Sequence, residues 1–319
     1  MSRPVGPDIL ADFGGTNARL MLSHGATFGA VRRYKVADFS GPAQAIRRFL
    51  RDVAPDAPPR RAAIAVAGPV AAGEADLTNS EWTISAAALQ RDLALDRVLL
   101  LNDFAALAWA LPGLADGDLF TIGGGRRLPG SPMAVLGPGT GLGVAAFVPD
   151  RGGVVLATEG GHVTMPAVDD REAEILRRLR ARYDHVSAER TLSGAGLEAL
   201  YGAVSAVDGI AGPDRTAPEI TERALAGDCV ASRATLETFC AMLGGFAGDV
   251  ALSMGARGGV FVAGGIVPRF PDFMAQSRFR ERFEAKGRFR DWLAAIPTFV
   301  VSHPDPAFPG LRAALDAAA

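Results

Sequence analysis

The sequence predicts an α/β fold built as two related lobes with a ligand cleft between them. Three observations carry this. The chain, at 319 residues, is longer than the about 250–300 residues over which one hydrophobic core usually grows. Short continuous apolar runs alternate with amphipathic segments, the pattern of strands covered on both faces by helices. A glycine-turn hairpin also occurs twice, at residues 12–17 and 137–141, each time opening a set of strands followed by helices.

Residues 9–12 and 17–23 read as two strands around the turn Phe13-Gly14-Gly15-Thr16, and 31–36 as a third. Residues 42–53 form a helix, because Ile46, Phe49, Leu50 and Val53 fall on one face and arginines on the other. The apolar run 62–67 is a buried strand, Ser85 caps a helix to Leu93, and 98–101 is a second buried strand that ends at Asn102-Asp103. A helix over 104–111 stops at Pro112-Gly113. The order then restarts with strands at 133–136, 142–147 and 154–157, and helices at 170–183, 196–204, 218–226 and 231–252. A strand at 259–263 runs into Gly264-Gly265, and the alanine-rich tail from Arg312 is helical.

Composition closes off several classes. Net charge is −2, which argues against nucleic acid as the main partner. No run of about 18 apolar residues exists, so no membrane span is expected, and the first twelve residues lack the pattern of a signal peptide. Cys229 and Cys240 have no CxxC spacing and are expected to be buried thiols in a reducing compartment. Of the 33 basic residues only Lys35 and Lys286 are lysines, and neither lies in GxxxxGK[ST]. If the protein handles ATP, it holds the phosphates without a P-loop.

Asp12-Phe13-Gly14-Gly15-Thr16-Asn17 sets a carboxylate at a strand end, then two residues without Cβ, then a hydroxyl and an amide. Successive backbone N–H groups there can cradle an anion, and the carboxylate makes sense with Mg²⁺ between it and phosphate. The alternative is a hairpin whose turn needs positive φ. Gly137-Pro138-Gly139-Thr140-Gly141-Leu142-Gly143 is the second such turn and is not a dinucleotide fingerprint, since Leu142 or Val144 occupies the last glycine position. Gly264-Gly265 at a strand end lets an adenine ring lie against backbone, or is an ordinary strand-to-loop turn. Asp103, also at a strand end, can take the proton of an attacking hydroxyl, or Asn102 or Asp103 caps the following helix. Glu159 and His162 form an ExxH pair with no second pair to complete a di-metal site. Asn, Glu and His side chains suit the hydroxyls of a sugar better.

Seven segments in order then resemble the bacterial-type ATP-dependent glucokinases of the hexokinase–actin–Hsp70 superfamily: LADFGGTNARL at 10–20, LTN-x-x-W at 77–82, LLNDFAALA at 100–108, GPGTGLGVA at 137–145, EGGH at 159–162, ERTLSGAGLEALY at 189–201 and VAGGIVPRF at 262–270. The resemblance implies the two-lobed actin-like ATPase/hexokinase fold, with ribonuclease-H-like repeats and the active site in the interlobe cleft. It places residues 1–110 and a C-terminal helix at 303–319 in a smaller lobe, and 111–302 in a larger one. By that similarity Asp103 is the general base, and Asn79, Asn102, Asp103, Glu159, His162 and Glu189 contact glucose. Gly14, Gly15, Thr16 and Asn17 form one phosphate loop, Gly139, Thr140 and Gly141 the other, and Gly264 and Gly265 lie near adenosine. Asp12 faces Mg²⁺, through water. Pro138 departs from the pattern, because proline has no N–H to offer phosphate.

The expected reaction is in-line transfer of the γ-phosphoryl group of ATP to O6 of D-glucose, in the cytoplasm, by a homodimer whose lobes close on sugar. The alternatives are another hexose kinase, polyphosphate as donor, or a non-catalytic actin-like relative. Two cysteines cannot supply the zinc motif of the related repressor/kinase group, and eleven residues before Asp12 are too few for a helix-turn-helix.

Overall fold

The computed structural model describes residues 6–77 and 80–318. The expected sugar contact Asn79 lies outside the described residues. The chain divides into two compact units, Met1–Gly113 with Pro304–Ala319, and Leu114–His303.

In the first unit β1 (Asp8–Phe13) and β2 (Asn17–His24) form an antiparallel hairpin, to which β3 (Thr27–Phe28) and β4 (Arg32–Lys35) add. The third strand is shorter than the expected 31–36. Val36 is buried and still gives its N–H to the Thr16 carbonyl at 2.9 Å, but it opens a 3₁₀ turn (Val36–Asp38), closed by the Phe39 N–H on the Val36 carbonyl at 3.1 Å, which ends the strand. Next come α1 (Pro42–Val53), β5 (Arg61–Val66), the hairpin β6 (Glu74–Asp76) and β7 (Thr83–Ser85), then α2 (Ala86–Leu93), β8 (Arg97–Asn102) and α3 (Asp103–Ala110). The sheet order is β3-β2-β1-β5-β8, with β5 parallel to β1 and β8 parallel to β5. The two-residue period of β1 sends Ile9, Ala11 and Phe13 to a core that includes Ile46 and Phe49 of α1. Leu10 goes to the opposite face, with Ala63, Ala65, Ala106 and the C-terminal residues Phe308, Leu311 and Leu315.

The second unit holds β9 (Leu119–Ile122), β10 (Met133–Pro138), β11 (Leu142–Val148) and β12 (Val154–Thr158), followed by α4 (Asp170–Arg180), α5 (Gly194–Val207), α6 (Ala217–Ala226) and α7 (Val230–Met254). After these come β13 (Val260–Val262), α8 (Pro271–Gln276), α9 (Phe279–Glu284), α10 (Arg290–Ala294) and β14 (Thr298–Val301). Its sheet order is β12-β11-β10-β13-β14-β9. The segment β11-β10-β13-β14 repeats the pairing of β2-β1-β5-β8: one antiparallel hairpin, then two parallel neighbours. The repeat expected from the two glycine turns is therefore a repeat of sheet topology.

The chain ends in α11 (Ala307–Ala317), which belongs to the first unit, starts five residues before the Arg312 expected from composition, and lies inside the 303–319 that the resemblance implies. Pro309 and Gly310 look like helix breakers but serve the helix here. Proline is tolerated in the first turn, where its missing N–H has no partner to lose. A Cβ on Gly310 would run into the Ala106 carbonyl of α3, so glycine is what lets the two helices touch. Cys240 is buried in α7 as expected, whereas Cys229 is only half-buried, because it stands ahead of the first turn of that helix; both thiols are free. Among the described residues, no helix is long and apolar enough to cross a membrane.

Candidate active site

Register brings the first unit's polar groups to one edge. Phe13 stands beside Val66 and Val66 beside Asn102, so β1, β5 and β8 end together at their carboxyl ends, where α/β sheets bind ligands. Asn102 is the cap of α3. Its Oδ1 accepts from the N–H groups of Phe104 (2.9 Å) and Ala105 (3.3 Å), and its Nδ2 donates to the Gly68 carbonyl (3.0 Å). Both acceptor sites of the amide are thus taken, and its Nδ2 hydrogens serve Gly68 and the neighbouring Asp103 carboxylate.

Asp103 is relieved of capping. It opens α3 one residue before the expected start and accepts from the Phe104 N–H at 2.9 Å. Its pKa is pushed up to about 6, by burial first and by the charge of Asp12 second, against hydrogen bonds from Phe104, its own N–H and Asn102. A carboxylate with that value is ionised at neutral pH and still basic enough to take a proton.

Asp12 is buried on β1, directly across the hairpin from Arg19, whose Nη2 lies 2.5 Å from its Oδ2. Arg19 also bonds Asp305 at 3.2 Å, and Arg33 holds the same Asp305 at 2.7 Å. The Asp12 pKa is raised above its ordinary value because burial outweighs the pull of Arg19. The sequence motif alone does not assign Arg19 and Asp305 to this site. Arg19 follows from hairpin register, counting outward from the turn. No local signal reaches Asp305, which is 286 residues from Arg19.

The first turn is closed by a hydrogen bond from the Gly14 N–H to the Asn17 carbonyl at 3.0 Å. The Gly14 N–H is therefore spent. Among the described residues no backbone carbonyl takes the N–H of Gly15 or Thr16. Thr16 and Asn17 are exposed, and Lys35 stands opposite Asn17 on β4. The second turn repeats the device: the Gly139 N–H goes to the Gly141 carbonyl at 2.8 Å, with Thr140 exposed beside it. None of Gly14, Gly15, Gly139 or Gly141 has a positive φ, so turn strain does not explain these glycines. A Cβ on Gly14 or Gly139 would come no closer than 3.6 Å and 3.8 Å to its neighbours. Protein packing therefore does not demand glycine at either position.

Around the second turn three other motif segments meet. Gly194, the first residue of α5, donates to the Gly139 carbonyl at 2.9 Å, and Ser193 caps that helix by accepting from Gly196 at 3.0 Å. Glu189 Oε2 accepts from the Leu142 N–H at 2.9 Å and lies where a Cβ on Gly141 would be, while its own N–H donates to the Gly161 carbonyl at 2.9 Å. Gly264 adopts φ +84° against the Pro138 carbonyl, and Ile266 donates its N–H to that carbonyl at 3.2 Å. Pro138, buried at the end of β10, thus contributes its carbonyl to joining the turn to the Gly264-Gly265 loop. Gly265 has open space around it.

Glu159 and His162 flank a short helical turn, exposed and 3.9 Å apart. Gly161 between them packs against the Leu142 carbonyl, too close for any side chain. Among the described residues, no group of three or more His, Cys, Asp or Glu gathers as a metal cluster. Mg²⁺ keeps most of its waters and takes one or two carboxylates plus substrate phosphates, a habit with which the single carboxylate of Asp12, paired to Arg19, is compatible.

A glucokinase family model matches residues 9–318. The chain is 49% identical over 307 residues to a glucokinase of Paramagnetospirillum magneticum, covering 95% of each, and 43% identical over 305 residues to a glucokinase of Nitrobacter hamburgensis, again covering 95% of each. The crystal structure of a glucokinase from an Antarctic psychrotroph superposes with a TM-score of 0.90 at 38% identity, over 98% of this chain and 99% of that one.

Proposed function

The chain belongs to the glucokinase family, and from that premise we propose how its residues carry out the ATP-dependent phosphorylation of D-glucose to glucose 6-phosphate. The observation that carries the residue assignment is Asp103. It is a half-buried carboxylate free of the capping task, at the carboxyl edge of the sheet, with its pKa raised to about 6. As glucose O6 attacks the γ-phosphorus in line, Asp103 takes the hydroxyl proton. That proton otherwise burdens the nucleophile, so the base contributes roughly 10²–10⁴-fold in rate.

Phosphate is assigned to the two glycine turns. In the first, Gly14 closes the loop, and the N–H groups of Gly15 and Thr16, with Asn17 beside them, face the anion. In the second, Thr140 and Gly141 do the same next to Gly139. Two observations support this: packing leaves room for side chains at Gly14 and Gly139, so the close approach there is left for a ligand, and the α5 N-terminus adjoins the second turn, adding its dipole. Adenosine is assigned to Gly264 and the open backbone of Gly265. The sugar hydroxyls are assigned to Asn79, Asn102, Glu159, His162 and Glu189; Asn102 adjoins Asp103, and Glu189 offers the acceptor capacity not used by Leu142. Asp12 holds Mg²⁺ through water, and the ion offsets phosphate charge when bound. The other assignments are a cytoplasmic enzyme and a homodimer, the latter read by sedimentation.

The deciding experiment is a coupled phosphorylation assay across hexoses and donors. Glucose with ATP–Mg²⁺ is expected to give the highest kcat/KM. Faster turnover of fructose, mannose or an amino sugar, or of glucose with polyphosphate, overturns the substrate assignment.

A further inference from the structure

A cavity of about 360 Å³ lies in the second unit, at the end of the sheet away from Gly264 and Gly265. Arg257 precedes β13 and Ala295-Ile296 precede β14, so the cavity sits at the amino ends of these parallel strands, whereas Gly264 follows the carboxyl end of β13. Three arginines line it, Arg126, Arg127 and Arg257, and no carboxylate does. Leu128, Ala295 and Ile296 supply an apolar floor.

The arginine-bearing loop is fixed in place. The Arg126 N–H donates to the Ala295 carbonyl at 3.2 Å and the Leu128 N–H to the Arg257 carbonyl at 3.0 Å. Gly125, at φ +95°, lies too close to the Ala295 carbonyl for any side chain. The Arg127 guanidinium stacks over the rings of Phe261 and Phe299, 5.1 Å and 4.9 Å from their centroids, and those residues are register partners on β13 and β14. Burial pulls the Arg127 pKa below its ordinary value, and Asp116 is the acid whose field opposes this. Among the described residues none of the three arginines is ion-paired with a carboxylate, unlike Arg48, Arg177, Arg233, Arg282 and Arg312.

One stacked guanidinium, Arg127, and two arginines carried on an anchored backbone beside an apolar floor match a molecule with an anionic head and a small body. Guanidinium geometry fits phosphate oxygens two at a time. We propose that this cavity binds a phosphorylated small molecule, its phosphate held by Arg126, Arg127 and Arg257 and its body resting on Leu128, Ala295 and Ile296. It is separate from the nucleotide and sugar groups assigned above, so its occupant is neither the ATP nor the glucose of the reaction at that site.

Calorimetric titration of the full chain with phenyl phosphate tests this, with inorganic phosphate run alongside. The comparison protein is R126A/R257A; both residues are exposed, and its glucose phosphorylation is expected to match wild type. Wild type is expected to bind phenyl phosphate more tightly than inorganic phosphate, with an affinity that falls as salt rises. The double variant is expected to bind at least about tenfold more weakly, with partial recovery in R126K/R257K. No binding by wild type at millimolar ligand, or equal affinity in wild type and R126A/R257A, overturns the site. Equal affinity for the two ligands overturns the part given to the apolar floor.

Discussion

Replacing Asp103 by Asn separates chemistry from structure, because the two change in opposite directions. The Asp103 pKa stands at about 6 against an ordinary 3.8, so the charged form is disfavoured in the folded protein. A shift of about 2 units is worth about 3 kcal/mol at most. The folded state binds this proton more tightly than the unfolded state. The contribution of Asp103 to stability is therefore fully present below about pH 4 and is lost as pH rises through about 6. Asn carries no charge to desolvate, keeps an Oδ1 for the Phe104 N–H, and leaves the helix cap with Asn102. Asp103→Asn is accordingly expected to unfold in urea at pH 7.5 with a stability equal to wild type or up to about 3 kcal/mol above it. That difference shrinks toward zero near pH 4.

The same change removes the base. kcat is expected to fall by roughly 10²–10⁴-fold in a coupled assay with saturating ATP–Mg²⁺, while glucose still binds. In wild type, kcat/KM is expected to rise with pH through about 6 as Asp103 ionises, and that acid limb is expected to vanish from the residual activity of the variant. Retention of more than about a tenth of kcat would refute the assignment of the base. A variant clearly less stable than wild type at pH 7.5 would refute the account of the raised pKa.

What the sequence reveals here depends on whether the deciding physics is local. The two hairpin turns are legible because glycines, a hydroxyl and a strand-end carboxylate stand within six residues of one another. Asn102 and Asp103 are chemically equal as caps, so only the backbone geometry at the end of β8 gives the cap to one and leaves the other for chemistry. Arg19 is legible in principle, since an antiparallel hairpin pairs Phe13 with Ala18 and therefore Asp12 with Arg19. Asp305 is not, because its contact depends on where α11 packs. β9, β14 and the short helices α8 to α10 escape a periodicity reading, being too short to show a period. The early start of α11 is hidden by Gly310, whose reason is the Ala106 carbonyl on another helix.

Thr16→Val and Thr140→Val are each expected to raise the KM for ATP several-fold more than that for glucose in initial-rate assays, since each hydroxyl stands on a phosphate turn; equal effects on both substrates would point to misfolding instead. Arg19→Ala leaves the buried Asp12 without its cation and is expected to cost about 1–3 kcal/mol in urea unfolding at neutral pH. The buried pair of Arg282 and Glu172, at 2.5 Å, joins α9 to α4, and neither residue is assigned a ligand contact. Its two side chains are only 5% and 4% exposed, so removing one strands the other charge in the core. Glu172→Ala is therefore expected to cost about 3–5 kcal/mol in urea unfolding, while the protein that remains folded keeps its KM for both substrates. Replacing both partners together, as Glu172→Leu with Arg282→Met, removes the stranded charge and is expected to recover most of that loss. If the double replacement is as unstable as Glu172→Ala, the loss comes from packing at this junction, and the ion-pair argument fails.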